Sequence, residues 1–443
     1  MDHGEALTLA TTGAHDLATL ARPRERIDAV SLTTSRREHK LSTGRPQRGP
    51  FLSEAFTLVR LAHRGHDVYF GSDGLTGTTG PDLLNAMRAL VPHGRTYRKA
   101  PPLRPPSTWN GDRFKDIELS TTPDKTLEWL EADLNLRAEQ ERSRSRLTMK
   151  VAGIVVTEQI SAEAFASSEG ESDGFARTWS EVKVLYEVGN GDRTLKIWAA
   201  RNTCRIRSLD TADFTAEAAW RAGALLAVES GERPEGDVLL PPRTSATVLR
   251  LLTQDQFERE PPGGQARKLP RSLIDDPHAS AGGHARPFDH EGTRTAVTVL
   301  LDRTGTRAAL VARGNLSPQA PHLTGHALRS TNSLTPTPLP TNVRLDDDAY
   351  TVPPDYTGLL GYGVRGGGGR GRHRAGDRLG FRLDVARVSQ GEVVSRCPPL
   401  AVSASSPDLL TAIAAVSAPT CYFPGRHYST AGSWMVLATP TRG

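Results

Sequence analysis

Apolar and polar side chains alternate over three consecutive stretches: LTMKVAGIVVTEQI (Leu147–Ile160), TWSEVKVLYEV (Thr178–Val188) and RTLKIWAARN (Arg193–Asn202). A period of two sends successive side chains to opposite faces, so the three runs predict an antiparallel meander joined by hairpins. IDAVSLTTSRREHKLS (Ile27–Ser42) alternates in the same way. FTLVRLAHRGHDVYFGSDGLTG (Phe56–Gly77) predicts a strand, a turn at Arg64-Gly65, a second strand and a glycine-punctuated loop. Residues 5–20 predict a helix, and Gly80-Pro81 opens another that runs through LLNAMRAL. Thr122-Pro123-Asp124 starts a third, with Pro at the first helical position and an acid in the first turn. TAEAAWRAGALLAVES (Thr215–Ser230) predicts a fourth, and PPLRPPSTWNGDR (Pro101–Arg113) a proline-rich loop. Beyond Gly236, DVLLPPRTSATVLRLLTQ predicts a short buried strand and then a helix. The remainder is rich in Gly, Pro, Thr and Val, with many short strands and SPDLLTAIAAV (Ser406–Val416) as its clearest helix. The expected fold class is α+β in two domains: an N-terminal α/β meander domain over 1–210, a connecting helix over 211–235, and a mainly antiparallel β-domain over 236–443.

A chain of 443 residues can bury a large core. Its 41 Gly and 31 Pro agree with many turns and loops. The net charge of +5 is spread along the chain, which favours solubility and does not by itself call for nucleic acid. Cys204, Cys397 and Cys421 are widely separated, so neither a zinc ribbon nor a disulfide framework is expected. The first 20 residues carry no basic segment followed by an apolar core, and no run of about 18 apolar residues occurs anywhere. A cytoplasmic, soluble protein without membrane partners is expected.

His290-Glu291 raises the question of a helical zinc site. Such a site needs a second imidazole one turn on, but Arg294 and Thr295 stand four and five residues later. The segment that follows, TAVTVLLD, is β-branched and predicts a strand. The run RGGGGRGRHR (Arg365–Arg374) has the Arg/Gly composition of an RNA-backbone binder, with Arg365, Arg370, Arg372 and Arg374 as its cations. It has no interleaved aromatic residue, which favours a basic loop at the rim of a cavity. Regulation or nucleic-acid binding through this loop stays as the alternative reading.

Five segments in order carry a family resemblance. SSEGESDGFARTWSEVKV (Ser167–Val184), EGDVLLPPRTSATVLRLL (Glu235–Leu252), PFDHEGTRTAVTVLLDRTG (Pro287–Gly305), TGHALRS (Thr324–Ser330) and PTNVRL (Pro340–Leu345) resemble blocks of the TldD/TldE (PmbA, modulator of gyrase) metallopeptidase family. His290 stands where the family usually has a second Asp, and His326 where it usually has Asn. The resemblance implies a TldD-type subunit whose zinc site combines a His-Glu-x-x-x-His helix with a cysteine near the C-terminus. Here the corresponding positions fall near Leu251, Leu252 and Gln256, and no histidine lies between His93 and His278. The chain is therefore expected to be the TldE-like, non-catalytic subunit of a heterodimer, holding no cofactor, with zinc in a TldD-like partner. Neither a catalytic residue nor a metal ligand is assigned to it, and Cys421 reads as a buried small side chain. Hydrolysis of a peptide or small amide, in a pathway that includes antibiotic or modified-peptide biosynthesis, is what the resemblance implies for the pair. Asp289, His290, Glu291, His326, Arg329 and Asn342 are the candidates for the substrate cavity. A turn built by Asp289 and Gly292 is the structural alternative for that block.

Overall fold

The computed structural model describes residues 2–42, 45–73, 80–96, 111–258, 268–279, 282–308, 310–312, 323–329, 335–366, 379–424 and 428–438. The first helix, α1 (His3–Ala18), starts at a capping box in which Asp2 accepts the Glu5 N–H and Glu5 accepts that of Asp2. Then come β1 (Glu25–Ser42), β2 (Arg45–His63), β3 (His66–Asp73), α2 (Gly80–Leu90) and β4 (Arg95–Thr96). The turn between β2 and β3 falls at Arg64 and Gly65, both with positive φ. The short α3 (Ile117–Thr121), capped by the Asp116 carboxylate, and α4 (Pro123–Arg144) lead to β5 (Thr148–Ser167), β6 (Ser172–Asn190) and β7 (Arg193–Thr203). Residues 101–110 of the expected proline-rich loop lie outside the described residues; Gly111–Phe114 is a 3-10 turn.

The alternating runs join one seven-stranded antiparallel sheet in the order β4-β3-β2-β1-β5-β6-β7. Helices cover one face: Ala6, Ala10 and Ala14 of α1 pack on Ala29 and Ala162, where small side chains bring helix and sheet close. Farther along, Leu127, Leu130 and Leu134 of α4 meet Val182, Val184 and Tyr186. The opposite face holds an apolar patch of Val30, Leu58, Phe165 and Phe175, and Phe288 from the C-terminal half seals it.

After α5 (Thr211–Leu226) come β8 (Val238–Leu240), α6 (Pro242–Glu258), β9 (Leu273–Asp275), β10 (Thr298–Leu301), β11 (Ala327–Leu328), β12 (Thr337–Pro338) and β13 (Asn342–Leu345). Next are β14 (Gly358–Arg365), β15 (Leu379–Ser389), β16 (Glu392–Ala404), α7 (Ser406–Ala412), β17 (Ile413–Val416), β18 (Cys421–Pro424), β19 (Ser429–Gly432) and β20 (Met435–Leu437). They form a five-stranded sheet, β10-β9-β13-β19-β18, a six-stranded sheet, β16-β15-β14-β8-β20-β17, and the pair β11-β12. Pairing is mostly antiparallel, with parallel exceptions at β13–β19 and β14–β8. One large core, including Val248, Leu252, Leu300, Val343, Leu383 and Met435, unites them.

Two expected helices end early. TAEAAWRAGALLAVES stops being helical at Leu226 because the next residues turn outward to β16: Val228 O accepts the Arg396 N–H, and Ser230 N–H donates to Arg396 O. In SPDLLTAIAAV the helix ends at Ala412, since Ile413–Val416 pairs with β20. In both, tertiary pairing overrides local helical preference.

Candidate functional site

The PFDHEGT block is a tight turn tied by one carboxylate. Asp289 Oδ1 accepts the N–H groups of Glu291 (2.9 Å) and Thr293 (2.8 Å), and Oδ2 accepts that of Ala327 in β11 (2.9 Å). Burial pushes the Asp289 carboxyl above its ordinary value, and the three backbone donors offset this only in part. Gly292 has φ 73°, and a Cβ there would lie 2.6 Å from the Phe165 ring, so both conformation and space require glycine. Phe288 stands edge-on to Phe175 with ring centroids 5.3 Å apart, anchoring the turn on the seven-stranded sheet.

His290 follows the carboxylate into the seam between turn and sheet. Its Nδ1 accepts the Arg329 N–H at 2.9 Å. A neutral imidazole has one acceptor nitrogen, so the proton sits on Nε2, 3.6 Å from Glu163 Oε2. Arg286 Nη1 lies 3.0 Å from the same Nε2; both then carry hydrogens, and we read this as a close polar contact rather than a hydrogen bond. Glu163 of β5 is buried between two guanidiniums, Arg286 at 3.3 Å and Arg177 of β6 at 3.8 Å. Burial alone would push Glu163 up, but Arg286, His290 and Arg177 together hold it well below the usual carboxylate range. Arg177 also donates to Ala285 O at 2.6 Å. Glu291 accepts the Tyr69 hydroxyl of β3 at 2.9 Å, and burial followed by the Glu291 charge pushes that phenol well above its ordinary range.

His326 and Asn342 belong to a second buried cluster, centred on Asp275 of β9. His326 Nε2 is 2.7 Å from Asp275 Oδ2, and both side chains are fully buried. Asp275 Oδ1 accepts the N–H groups of Thr341 (2.8 Å) and Asn342 (2.7 Å), fixing the register where β13 begins. Asn342 Oδ1 accepts the His284 N–H (3.2 Å), and its Nδ2 donates to Asp276 O (3.1 Å). The two clusters meet at β11, where Ala327 bonds the turn through both its N–H and its carbonyl. Arg329 leaves this strand to lie 3.5 Å over the Phe56 ring. Gly325, just before it, has φ 73°, and a Cβ would fall 2.2 Å from Arg294 O. Gly325→Ala is accordingly expected to cost about 2–3 kcal/mol, read from urea unfolding, through combined strain and backbone overlap. A change under about 0.5 kcal/mol would show that β11 can shift freely.

Thus Asp289, His290 and Glu291 gather in one turn, His326 and Asn342 gather around Asp275, and Arg329 connects the turn to β2. Sequence reasoning missed Glu163, Arg177, Arg286, Tyr69 and Asp275. Of these, Glu163 carried a local signal, a carboxylate inside the apolar run ISAEAFAS.

The positions expected from the sequence for a helical zinc site, near Leu251, Leu252 and Gln256, fall within α6. Leu251 and Leu252 are buried in the apolar core, and Pro242–Glu258 contains no His or Cys and only two carboxylates, Asp255 and Glu258. These side chains do not fit a zinc ion, which takes imidazole, thiolate or carboxylate donors. Among the described residues, no group of three or more His, Cys, Asp or Glu is arranged to hold a metal. Cys421 in β18 is buried beside Gly432, and burial pushes its thiol up to about 12 against the pull of Arg201. Burial likewise raises Cys204, to about 12, and Cys397. Arg201 lies between the rings of Phe214 and Phe423 and pairs with Asp213 (3.3 Å) and Glu217. Of the basic-loop arginines, Arg365 pairs with Asp384, while Arg370, Arg372 and Arg374 lie outside the described residues.

A model of the PmbA/TldA metallopeptidase C-terminal domain matches residues 270–437. Comparison of the sequence with curated proteins gives no match. The fold is similar to that of TldE from Thermococcus kodakarensis, with a TM-score of 0.69 and 15% identity, covering 93% of this chain and 95% of that one. It is also similar to a putative modulator of a DNA gyrase from Thermotoga maritima, at 0.67 and 14% identity, over 94% and 96% of the two chains. A third similar structure, a putative modulator of DNA gyrase from Bacteroides thetaiotaomicron, aligns at 0.64 and 14% identity over 98% and 99%.

Proposed function

We propose that the chain is a non-catalytic, TldE-like subunit of the TldD/TldE (PmbA) metallopeptidase family that pairs with a zinc-bearing, TldD-like chain, a reading supported by the match of residues 270–437 to the PmbA/TldA metallopeptidase C-terminal domain. The observation that supports this reading is the chemistry of α6, where Leu251 and Leu252 fill the apolar core near the positions that the family resemblance assigns to a His-Glu pair. A metal-assisted hydrolase of this kind needs imidazole or thiolate donors on the helix, and α6 contains no His or Cys. The partner's zinc would supply the hydrolytic chemistry on a peptide or small amide, within natural-product biosynthesis. This chain's part is to complete the walls of the shared cavity. Asp289, Glu291, His326 and Asn342 act there by holding the turn and β11 in place. His290, with 14% of its side chain exposed, and Arg329 are the candidates able to meet a substrate. Among the described residues no helix is long and apolar enough to cross a membrane; the proposal places the pair in the cytoplasm.

The test is zinc content and amide hydrolysis for this chain alone, for the TldD-like chain alone, and for the two co-expressed. Zinc only in the TldD-like chain, with full activity only in the pair, is the expected result. Stoichiometric zinc and hydrolysis by this chain alone would overturn the proposal.

A further inference from the structure

A cavity of about 1220 Å³ opens on another part of the molecule, between α4 and α5 on one side and the segment Ala349–Pro354 with the β15–β16 turn on the other. It takes no lining from α6 or from the PFDHEGT turn. Its volume exceeds the roughly 300–1,000 Å³ of ordinary small-molecule sites. The reason lies in the sequence of α5: Ala212, Ala216 and Ala219, at helical spacing, line the cavity with side chains too small to fill it, and Gly223 closes its end by letting Val393 pack against the helix. Two indoles stand among them, Trp220 and Trp434, edge-to-face with centroids 5.5 Å apart. Val352, Pro353 and Val393 extend the apolar surface from the opposite wall.

Of the three arginines that line the cavity, one has no carboxylate partner among the described residues. Arg144 pairs with Glu141 at 3.4 Å, and Arg146 lies 3.7 Å from Glu392. Asp213, deeper in, is taken by Arg201 and by the Trp434 indole N–H. Arg193, exposed at the rim, has only the Leu226 carbonyl, 2.6 Å from Nη1, among the described residues. A guanidinium carries five N–H donors, so most of its capacity to bind a carboxylate is unused.

We propose that this cavity binds an elongated amphipathic carboxylate, its apolar chain along the small-residue face of α5 beside Trp220 and its carboxylate at Arg193. The inference does not depend on the subunit role proposed above. Burial of the chain supplies the affinity, and the arginine selects the sign of the head group.

Dodecanoate is the probe, with dodecylammonium as the charge-reversed control, followed by calorimetric titration and by tryptophan fluorescence. Saturable 1:1 binding of dodecanoate is expected (about one site per chain), with dodecylammonium weaker by about tenfold. Ala216→Trp, which fills the cavity from a half-buried position, is expected to abolish binding, and Arg193→Gln to weaken it by about fivefold to tenfold. Thermal unfolding of each variant checks that it folds. Absence of saturable binding, binding indifferent to Ala216→Trp in a folded variant, or equal affinity for both head groups would each overturn the proposal.

Discussion

Glu163→Ala is expected to lower the unfolding free energy by about 3–5 kcal/mol, because it leaves the guanidiniums of Arg177 and Arg286 buried without their carboxylate. The damage should concentrate where the PFDHEGT turn meets the sheet, since Arg177 also holds Ala285 O there and Arg286 belongs to the segment entering the turn. Glu163→Gln separates charge from volume: it keeps the shape and a hydrogen-bonding oxygen, and should still cost most of the loss. The pH dependence has a definite sign. A carboxylate held below its ordinary value of about 4.5 contributes stability that is fully present above that value and lost as pH falls through the folded-state pKa. Wild-type protein should therefore lose stability progressively below about pH 4.5, and Glu163→Gln should lack this component. Urea unfolding of the three proteins at neutral pH and in mild acid checks the prediction. An alanine variant within about 1 kcal/mol of wild type would mean that water reaches and solvates the two arginines.

Arg201→Met is the second large effect. Methionine has a similar reach but no charge, so Asp213 and Glu217 lose their shared cation, and the Phe214 and Phe423 rings lose the plane between them. The expected cost at neutral pH is about 3–5 kcal/mol. Asp213 is already pushed up by burial and held back chiefly by Arg201, so without the arginine it should take up a proton more readily. An acid whose folded-state pKa is raised stabilises the fold at low pH and loses that contribution as pH rises. The deficit of Arg201→Met should thus be smallest in acid and grow toward neutrality, opposite in sense to the Glu163 component. Chemical unfolding of the variant from mild acid to neutral pH measures it. A variant as stable as wild type at neutral pH would show that Arg201 contributes no net stabilisation to this cluster.

Much of the N-terminal sheet was legible because alternation is a local property. β5 and β6 run several residues beyond their most regular stretches because the far halves, such as SAEAFAS, take their burial from α1 on one face and Phe288 on the other. The C-terminal half was legible only as a class, since its sheets are assembled from short strands far apart in sequence. Ile413–Val416 shows the difficulty: it continues a helical pattern until β20 recruits it. The turn of Asp289 and Gly292 could be foreseen from Asp-x-Glu-Gly chemistry, whereas its partners could not. Tyr69 meets Glu291 across 222 residues, and Glu163 meets Arg286 across 123, and no periodicity records such pairings.

The placement of β8 has a consequence for how the molecule comes into being. This three-residue strand lies between β14, its parallel neighbour, and β20, its antiparallel one, so both of its edges wait for chain made much later. On a ribosome the first seven strands can pair as they emerge, whereas the six-stranded sheet cannot close until Met435–Leu437 has been synthesised. Until then Val238, Leu239 and Leu240, all fully buried in the finished protein, are an apolar edge exposed to other nascent chains. Truncation just before β20 should therefore leave a chain whose N-terminal sheet folds and whose C-terminal half aggregates.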